Sequence, residues 1–264
     1  MGRPPDYAFP HSAADESRRL ALFEQRLDPL TVRRIERLAV GRGARCLEIG
    51  GGRGSITRWL SNRVGPVGHV TATDLQLDFL SAVDGPNVEI LRHDIRTDTF
   101  PERSFDLVHT RAVLMHVPDD PDLLPRMTTW LAPEGWLLLE EPDFGLWLAD
   151  PDPVWATHPR AWKRTFPSGS LSRGRSLLTQ IHRLGLEDVG ADAEVDIVVP
   201  GTPLAEFYRL SMAAIGPHAV EAGALTADQA AALIERPNRE DFRGCGFVHF
   251  GVWGRMPAGA SRAG

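Results

Sequence analysis

Cysteine, net positive charge and long apolar runs are all scarce in this chain, and each shortage removes a class of function. Of 264 residues only Cys46 and Cys245 are cysteines. They have no paired metal-ligand spacing, which argues against a zinc site or a disulfide framework and suits two reduced, structural thiols. The formal net charge is −6 and the sequence pI is about 5.8. Such a surface offers no basic field for releasing counterions from DNA or RNA, so free nucleic acid is not expected as a partner. No apolar run approaches the roughly 20 residues of a membrane span. The opening Met1-Gly2-Arg3-Pro4-Pro5-Asp6 also lacks the apolar stretch of a signal peptide. A cytoplasmic protein without a membrane partner is the expectation.

What the chain does have is alternation. Its length suits one domain spanning 1–264, read as an N-terminal helical cap at 1–40, a ligand-binding half at 41–141 and a variable half at 142–256. Leu20, Phe23 and Leu27 keep helical spacing, and Asp28-Pro29 reads as the start of a second helix that stops at Gly41. Apolar runs at 45–49, 69–73, 88–91, 105–109 and 136–140 alternate with helical patterns such as Ile56, Trp59, Leu60 and Val64. That alternation implies a parallel sheet with helices on both faces. From Val189 to Val199 every odd position is apolar, while Asp188, Asp192, Glu194 and Asp196 occupy even ones, the pattern of a strand with one wet face. Residues 203–235 read as helical, with a two-fold contact between copies as one use for them. With a last strand at 247–253, the expected fold is α/β: a Rossmann-like, doubly wound, mostly parallel seven-stranded sheet with an antiparallel terminal pair and helical lid insertions.

The chemistry-bearing residues recur at strand ends. Cys46-Leu47-Glu48-Ile49 puts a carboxylate in an apolar strand just before Gly50, Gly52 and Gly54. A parallel central strand is buried on both faces, so Glu48 is costly there unless something cationic or hydrogen-bonding meets it. The glycines let the backbone turn tightly against a ligand. Dinucleotide sites share such a turn, but here Ser55 stands where their last glycine would be, and no lysine follows to make a phosphate loop. Asp74 ends the second strand, where a carboxylate can take both ribose hydroxyls or cap a helix. Asp94 ends the third, placed for an exocyclic adenine amine with the Ile95 amide on a ring nitrogen, or paired with Arg92 or Arg96 as a loop carboxylate.

Glu48-Ile49-Gly50-Gly51-Gly52-Arg53-Gly54, Asp74, His93-Asp94-Ile95 and the stretch from Phe105 through Thr110-Arg111 to His116-Val117-Pro118-Asp119 together resemble the ordered motifs of class I S-adenosylmethionine-dependent methyltransferases. The nearest branch is the small-molecule one, with ubiquinone/menaquinone-biosynthesis-type and natural-product enzymes, and the likeness covers roughly residues 15–142. The resemblance implies S-adenosylmethionine as cofactor. Glu48 and the Gly50, Gly52 and Gly54 turn would hold its methionyl part, Asp74 with Leu75 its ribose, and Asp94 with Ile95 its adenine. Thr110 and Arg111 would floor the site near the sulfonium, and Tyr7 would close over the cofactor or simply pack.

Methyl transfer needs a nucleophile aligned about 3 Å from the methyl, and a base only when that nucleophile carries a proton at neutral pH. His116 is the candidate base, or else a cap or cofactor-positioning residue; Glu141 and Asp143 are alternatives, or turn residues. Phe144, Trp147, Trp155, Trp162 and Phe166, with Phe207, Tyr208 and Met212, could wall an apolar acceptor pocket or be ordinary core. A small, apolar or aromatic acceptor methylated on O, N or C follows. A nicotinamide-dependent oxidoreductase and a non-catalytic binder of the cofactor are the rival readings.

Overall fold

The apolar runs assemble into a single seven-stranded sheet in a computed structural model that describes residues 13–166 and 169–259. Tyr7 lies outside the described residues. The strands are β1 (Arg45–Ile49), β2 (His69–Asp74), β3 (Val88–Arg92), β4 (Phe105–Arg111), β5 (Leu131–Asp143), β6 (Glu187–Val198) and β7 (Gly244–Arg255). Their order is β3-β2-β1-β4-β5-β7-β6. Strands β1 to β5 are parallel, and β7 runs antiparallel to both β5 and β6. The expected architecture is therefore the observed one. Strand order reverses between β1 and β4, and a crevice opens at the carboxyl ends of the strands there.

Among the described residues eight α-helices accompany the sheet: α1 (Ala13–Arg37), α2 (Ser55–Val64), α3 (Leu123–Thr129), α4 (Gly145–Leu148), α5 (Thr157–Thr165), α6 (Arg173–Gln180), α7 (Pro203–Glu221) and α8 (Ala227–Glu235). Helix α2 shows why the spacing works. Ile56, Leu60 and Val64 repeat every fourth residue, and all three are buried with Cys46, Val70 and Leu107 of the strands beneath. Truncating Leu60 to alanine there would cost about 2–5 kcal/mol. Among the described residues no helix is long and apolar enough to cross a membrane.

Two expectations are overturned. The pair of N-terminal helices is one helix, α1, with Pro29 inside it. Proline removes one backbone donor, but Arg111 grips both sides of that point, donating to Asp28 Oδ1 (2.9 Å) and Thr31 Oγ1 (3.0 Å). Tertiary bonds thus outweigh the local signal for a new helix start at Asp28-Pro29. The second correction concerns β6. Its apolar odd positions Val195 and Ile197 are exposed, while Asp196 is buried and Asp192 and Glu194 are half-buried. The acidic face turns inward because α1 presents arginines to it: Arg26 donates to Asp196 (2.8 Å), Arg33 to Glu194 (2.9 Å) and Arg34 to Asp192 (2.7 Å). Irregularities in the β6–β7 register at 187–190 and 195–197 accommodate this orientation.

Helix α7 is also a core element rather than a free surface. Ala205, Phe207, Tyr208, Met212, Ile215 and Ala219 are buried along it, against α1, α5 and α8.

Candidate functional site

At the end of β1 the chain turns through Gly50, Gly52 and Gly54, with φ of 76°, 57° and 76°. The Gly50 and Gly51 amides donate to the Thr73 carbonyl at 2.8 and 2.9 Å, which closes the turn over β2. A Cβ on Gly50 would stand 2.2 Å from Val113 Cγ2, and one on Gly54 would stand 2.2 Å from Val83 Cγ2. Positive φ and close approach both demand glycine at these two positions. Gly52 faces open space, and its turn needs only the positive φ.

This turn borders a cavity of about 540 Å³ in the crevice between β1 and β4, a size that suits a small-molecule site. Glu48, Gly50, Gly52, Asp74, Leu75, Asp94, Ile95, Arg111 and His116 all line it. The same cavity continues to Phe144, Trp147, Trp162 and Tyr208, so both halves of the chain contribute to one space.

The carboxylates differ in environment. Glu48 is only 4% exposed and accepts from the Thr57 hydroxyl. Burial pushes its carboxyl above the usual range, although His109 and Arg111 oppose this. A cationic group arriving from the cavity would favour the ionised form. Asp74 Oδ2 accepts from the Gly52 amide at 3.0 Å and Oδ1 from the Gln76 amide at 3.2 Å, so the turn and the strand end hold each other. Burial raises its carboxyl as well. Asp94 forms a close pair with the Arg96 guanidinium, Nη2 to Oδ2 at 2.6 Å, which holds its carboxyl below the usual range. The Ile95 amide next to it has no hydrogen-bond partner among the described residues.

Arg111 lines the cavity with its guanidinium already engaged by Asp28 and Thr31, and it lies 5.6 Å over the Phe23 ring. It therefore fastens α1 across the cavity mouth. Thr110 is fully buried in β4, does not line the cavity, and its hydroxyl has no partner among the described residues. The floor comes instead from Arg111, Ala112 and Val113. Gly54 sits behind the cavity wall as the cap of α2.

His116 lines the cavity, and its ring meets Trp162 edge-on at 5.6 Å. Burial, aided by nearby Arg19, pushes its pKa down to about 4. The imidazole is neutral at pH 7. Glu141 is a correction: it does not face this cavity. Its Oε1 accepts from the Val113 and Leu114 amides (3.0 and 2.8 Å) and its Oε2 from the Met115 amide (3.0 Å). Burial pushes its carboxyl up to about 7, against those three donors. The side chain is committed to holding the 3-10 turn Leu114–His116 that carries the imidazole. Asp143 likewise bonds the Gly145 amide at 2.7 Å and lines no part of the cavity.

In the variable half, Phe166 and Met212 are also displaced from their expected places. Phe166 packs behind Trp162, at 4.7 Å between ring centroids. Met212 is buried in α7 and does not line the cavity, whereas Phe207, Tyr208, Ser211 and Ile215 of the same helix do. Sequence reasoning missed Ser211, Ile215, Arg19 and His158. For His158 the one available signal was its i, i+4 spacing to Trp162 on α5.

Beneath the site a buried network ties α1 to the sheet. Glu140 accepts from Thr31 (2.6 Å), pairs with Arg34 and meets His109 Nε2 at 2.8 Å. Burial would raise its carboxyl, but the His109 hydrogen bond and the charges of Arg34 and Arg111 hold it down to about 2.

Comparison with known proteins adds three findings. A family model described as a methyltransferase domain matches residues 21–190. The ubiquinone/menaquinone biosynthesis C-methyltransferase UbiE of Pseudomonas savastanoi pv. phaseolicola is 37% identical over 116 residues, which cover 40% of this chain and 45% of that relative. The chain thus spans under half the length of the curated relatives it matches. Two solved structures share the fold at low identity. Phosphoethanolamine N-methyltransferase 2 of Haemonchus contortus, in complex with S-adenosylhomocysteine, has a TM-score of 0.51 at 16% identity, covering 91% of this chain and 52% of its own. The cyclase SpnF has a TM-score of 0.56 at 17% identity, covering 89% of this chain and 83% of its own.

Proposed function

The chain belongs to the methyltransferase-domain family, of the class I S-adenosylmethionine-dependent kind, and from that premise we propose that it moves a methyl group from S-adenosylmethionine to an oxygen, nitrogen or carbon of a small apolar or aromatic acceptor. One observation carries the reading. The glycine turn, Glu48, Asp74 and the unpartnered Ile95 amide border the same cavity that His116 and the aromatic wall complete. Family membership replaces the nicotinamide reading. Fold alone would not have done so, since a cyclase shares it.

The residues present fit the cofactor. Gly52, where an added Cβ would meet no protein atom within 4 Å, lines the cavity beside a buried carboxylate suited to a cation, with a strand-end carboxylate and a spare backbone donor further along. Glu48 and the glycine turn hold the methionyl portion, Asp74 with Leu75 the ribose hydroxyls, and Ile95 with Asp94 the adenine edge. When bound, S-adenosylmethionine supplies an electrophilic methyl on a positively charged sulfur. The chain's own task is alignment and exclusion of water, which is where most of the acceleration of an in-line displacement comes from.

His116 is unprotonated throughout the neutral range and faces the cavity, so it can accept a proton from an acceptor hydroxyl or amine. A pKa near 4 makes it too weak to ionise a phenol beforehand. It takes the proton as the methyl moves, when the acceptor's acidity rises. Glu141 positions it through the three amides of its turn. A partial likeness to a quinone C-methyltransferase and the aromatic wall both favour a flat, apolar acceptor.

Calorimetry with S-adenosylhomocysteine, followed by incubation with methyl-labelled cofactor and a panel of phenols, quinols and amino sugars, tests the reading. Binding with label transfer to a phenol or quinol is the expected result. Binding without transfer to any member would favour a non-catalytic binder, and absence of binding would overturn the proposal.

A further inference from the structure

His158 is a polar side chain with no polar partner among the described residues. It projects from α5 into the aromatic half of the cavity, is 3% exposed, and stacks on Trp147 at 4.5 Å between centroids with 20° between planes. Neither ring nitrogen makes a hydrogen bond among the described residues, and the side chain lines the cavity. Leaving such a group unpaired in an apolar site is costly unless a ligand or a water meets it. Burial pushes the imidazole pKa down to about 3, so at pH 7 the ring offers one donor and one acceptor and no charge.

The neighbours say what kind of ligand would use it. One turn along α5, Trp162 lies on the same helix face, and His116 meets Trp162 from the other side. Two neutral imidazoles therefore flank an indole on one wall. Other polar groups nearby are spoken for. The Tyr208 hydroxyl donates to Asp196 (2.8 Å) and accepts from the Phe247 amide (2.7 Å), Ser211 donates to the Phe207 carbonyl (2.8 Å), and Arg19 is paired with Glu16 (2.8 Å). A charged substituent would find no free counter-charge on this wall, whereas a hydroxyl or carbonyl would find a partner.

We propose that His158 is a specificity-determining residue that hydrogen-bonds a second, uncharged hydroxyl or carbonyl on a planar aromatic acceptor whose reactive atom lies at His116. This rests on the methyl-transfer reading for the identity of the reactive atom, but the binding contact stands apart from turnover. The test measures binding of 2-naphthol and of 2,7-dihydroxynaphthalene in the presence of saturating S-adenosylhomocysteine, by calorimetry and by tryptophan fluorescence. Wild type should bind the dihydroxy compound about 10-fold more tightly, the value of one hydrogen bond that satisfies a buried group. His158→Phe, which keeps the stack on Trp147 but has no ring nitrogen, should lose that preference while leaving the affinities for 2-naphthol and S-adenosylhomocysteine unchanged. His158→Asn should recover part of it. Should the phenylalanine variant not fold, the asparagine variant and His158→Leu carry the same comparison.

Equal affinities in wild type, an undiminished preference in His158→Phe, or binding of neither naphthol would overturn the proposal. A chain that shows the His158-dependent preference yet transfers no label to either compound would refute methyl transfer to such acceptors and leave the subsite standing.

Discussion

Replacing Gly50 with alanine tests the geometry of the cofactor turn most directly. At φ 76° a non-glycine residue costs about 1–2 kcal/mol. The new Cβ would also stand 2.2 Å from Val113 Cγ2. Val113 cannot drift freely, because its amide is held by Glu141 at 3.0 Å, so overpacking adds about 1–3 kcal/mol. A total near 3 kcal/mol corresponds to a fall of roughly 6–12 °C in Tm for a chain of this size. Gly52→Ala is the internal control. Its φ of 57° demands the same conformational cost, but its Cβ would meet nothing within 4 Å. It should lose only about 1 kcal/mol, or roughly 2–4 °C. In a Val113→Ala background, Gly50→Ala should shrink to the Gly52→Ala value because the clashing methyl is gone. Differential scanning calorimetry reads the stabilities, and titration with S-adenosylhomocysteine should show weakened binding for Gly50→Ala. If Gly52→Ala costs as much as Gly50→Ala, or if removing the Val113 methyls changes nothing, the close approach of turn and β4 loop is not what selects glycine.

Asp74→Ala should weaken S-adenosylhomocysteine binding by about 1–3 kcal/mol, the cost of leaving buried partners unpaired; unaltered affinity in calorimetry would remove the ribose assignment. His116→Ala should leave cofactor binding nearly intact and lower turnover about 100-fold, whereas wild-type turnover would reduce the residue to a wall. Glu141→Gln cannot accept from all three amides of the His116 turn, so kcat should drop with little change in cofactor affinity. Because it acts through His116, its effect should largely vanish in a His116→Ala background, and an undiminished effect there would argue against positioning. Stability should also fall with acid through His158. Its folded pKa, about 3, lies below the ordinary 6.5, so the unfolded chain binds the proton first. The contribution is fully present above about 6.5 and lost progressively as pH falls toward 3. Thermal melts from pH 7 to 4 should show a shallower decline for His158→Phe than for wild type, and parallel curves would refute the linkage.

The sequence by itself determined the sheet and one half of the site. Alternation of apolar runs with helical spacing dictates a doubly wound parallel sheet, and in such a sheet strand ends at the order reversal must converge. Glu48, Asp74 and Ile95 were therefore legible as one site from their places at strand ends. The G-x-G-x-G spacing of Gly50, Gly52 and Gly54 announced the turn after β1. Local pattern failed where distant charges decided the outcome. The apolar positions of β6 promised a buried face, yet the arginines of α1, more than 150 residues away in sequence, turn Asp192, Glu194 and Asp196 inward instead. Arg111 of β4, bonded to Asp28 and Thr31, carries α1 intact past Pro29. Only the tertiary structure separated Glu141 from the cavity, since three amides on another loop claim its oxygens, and only it brought forward His158, one turn from Trp162 on a short helix. Strand and helix periods are set by bonds between near neighbours. Which face of an element is buried, and which buried polar group is left for a ligand, depends on partners that periodicity cannot name.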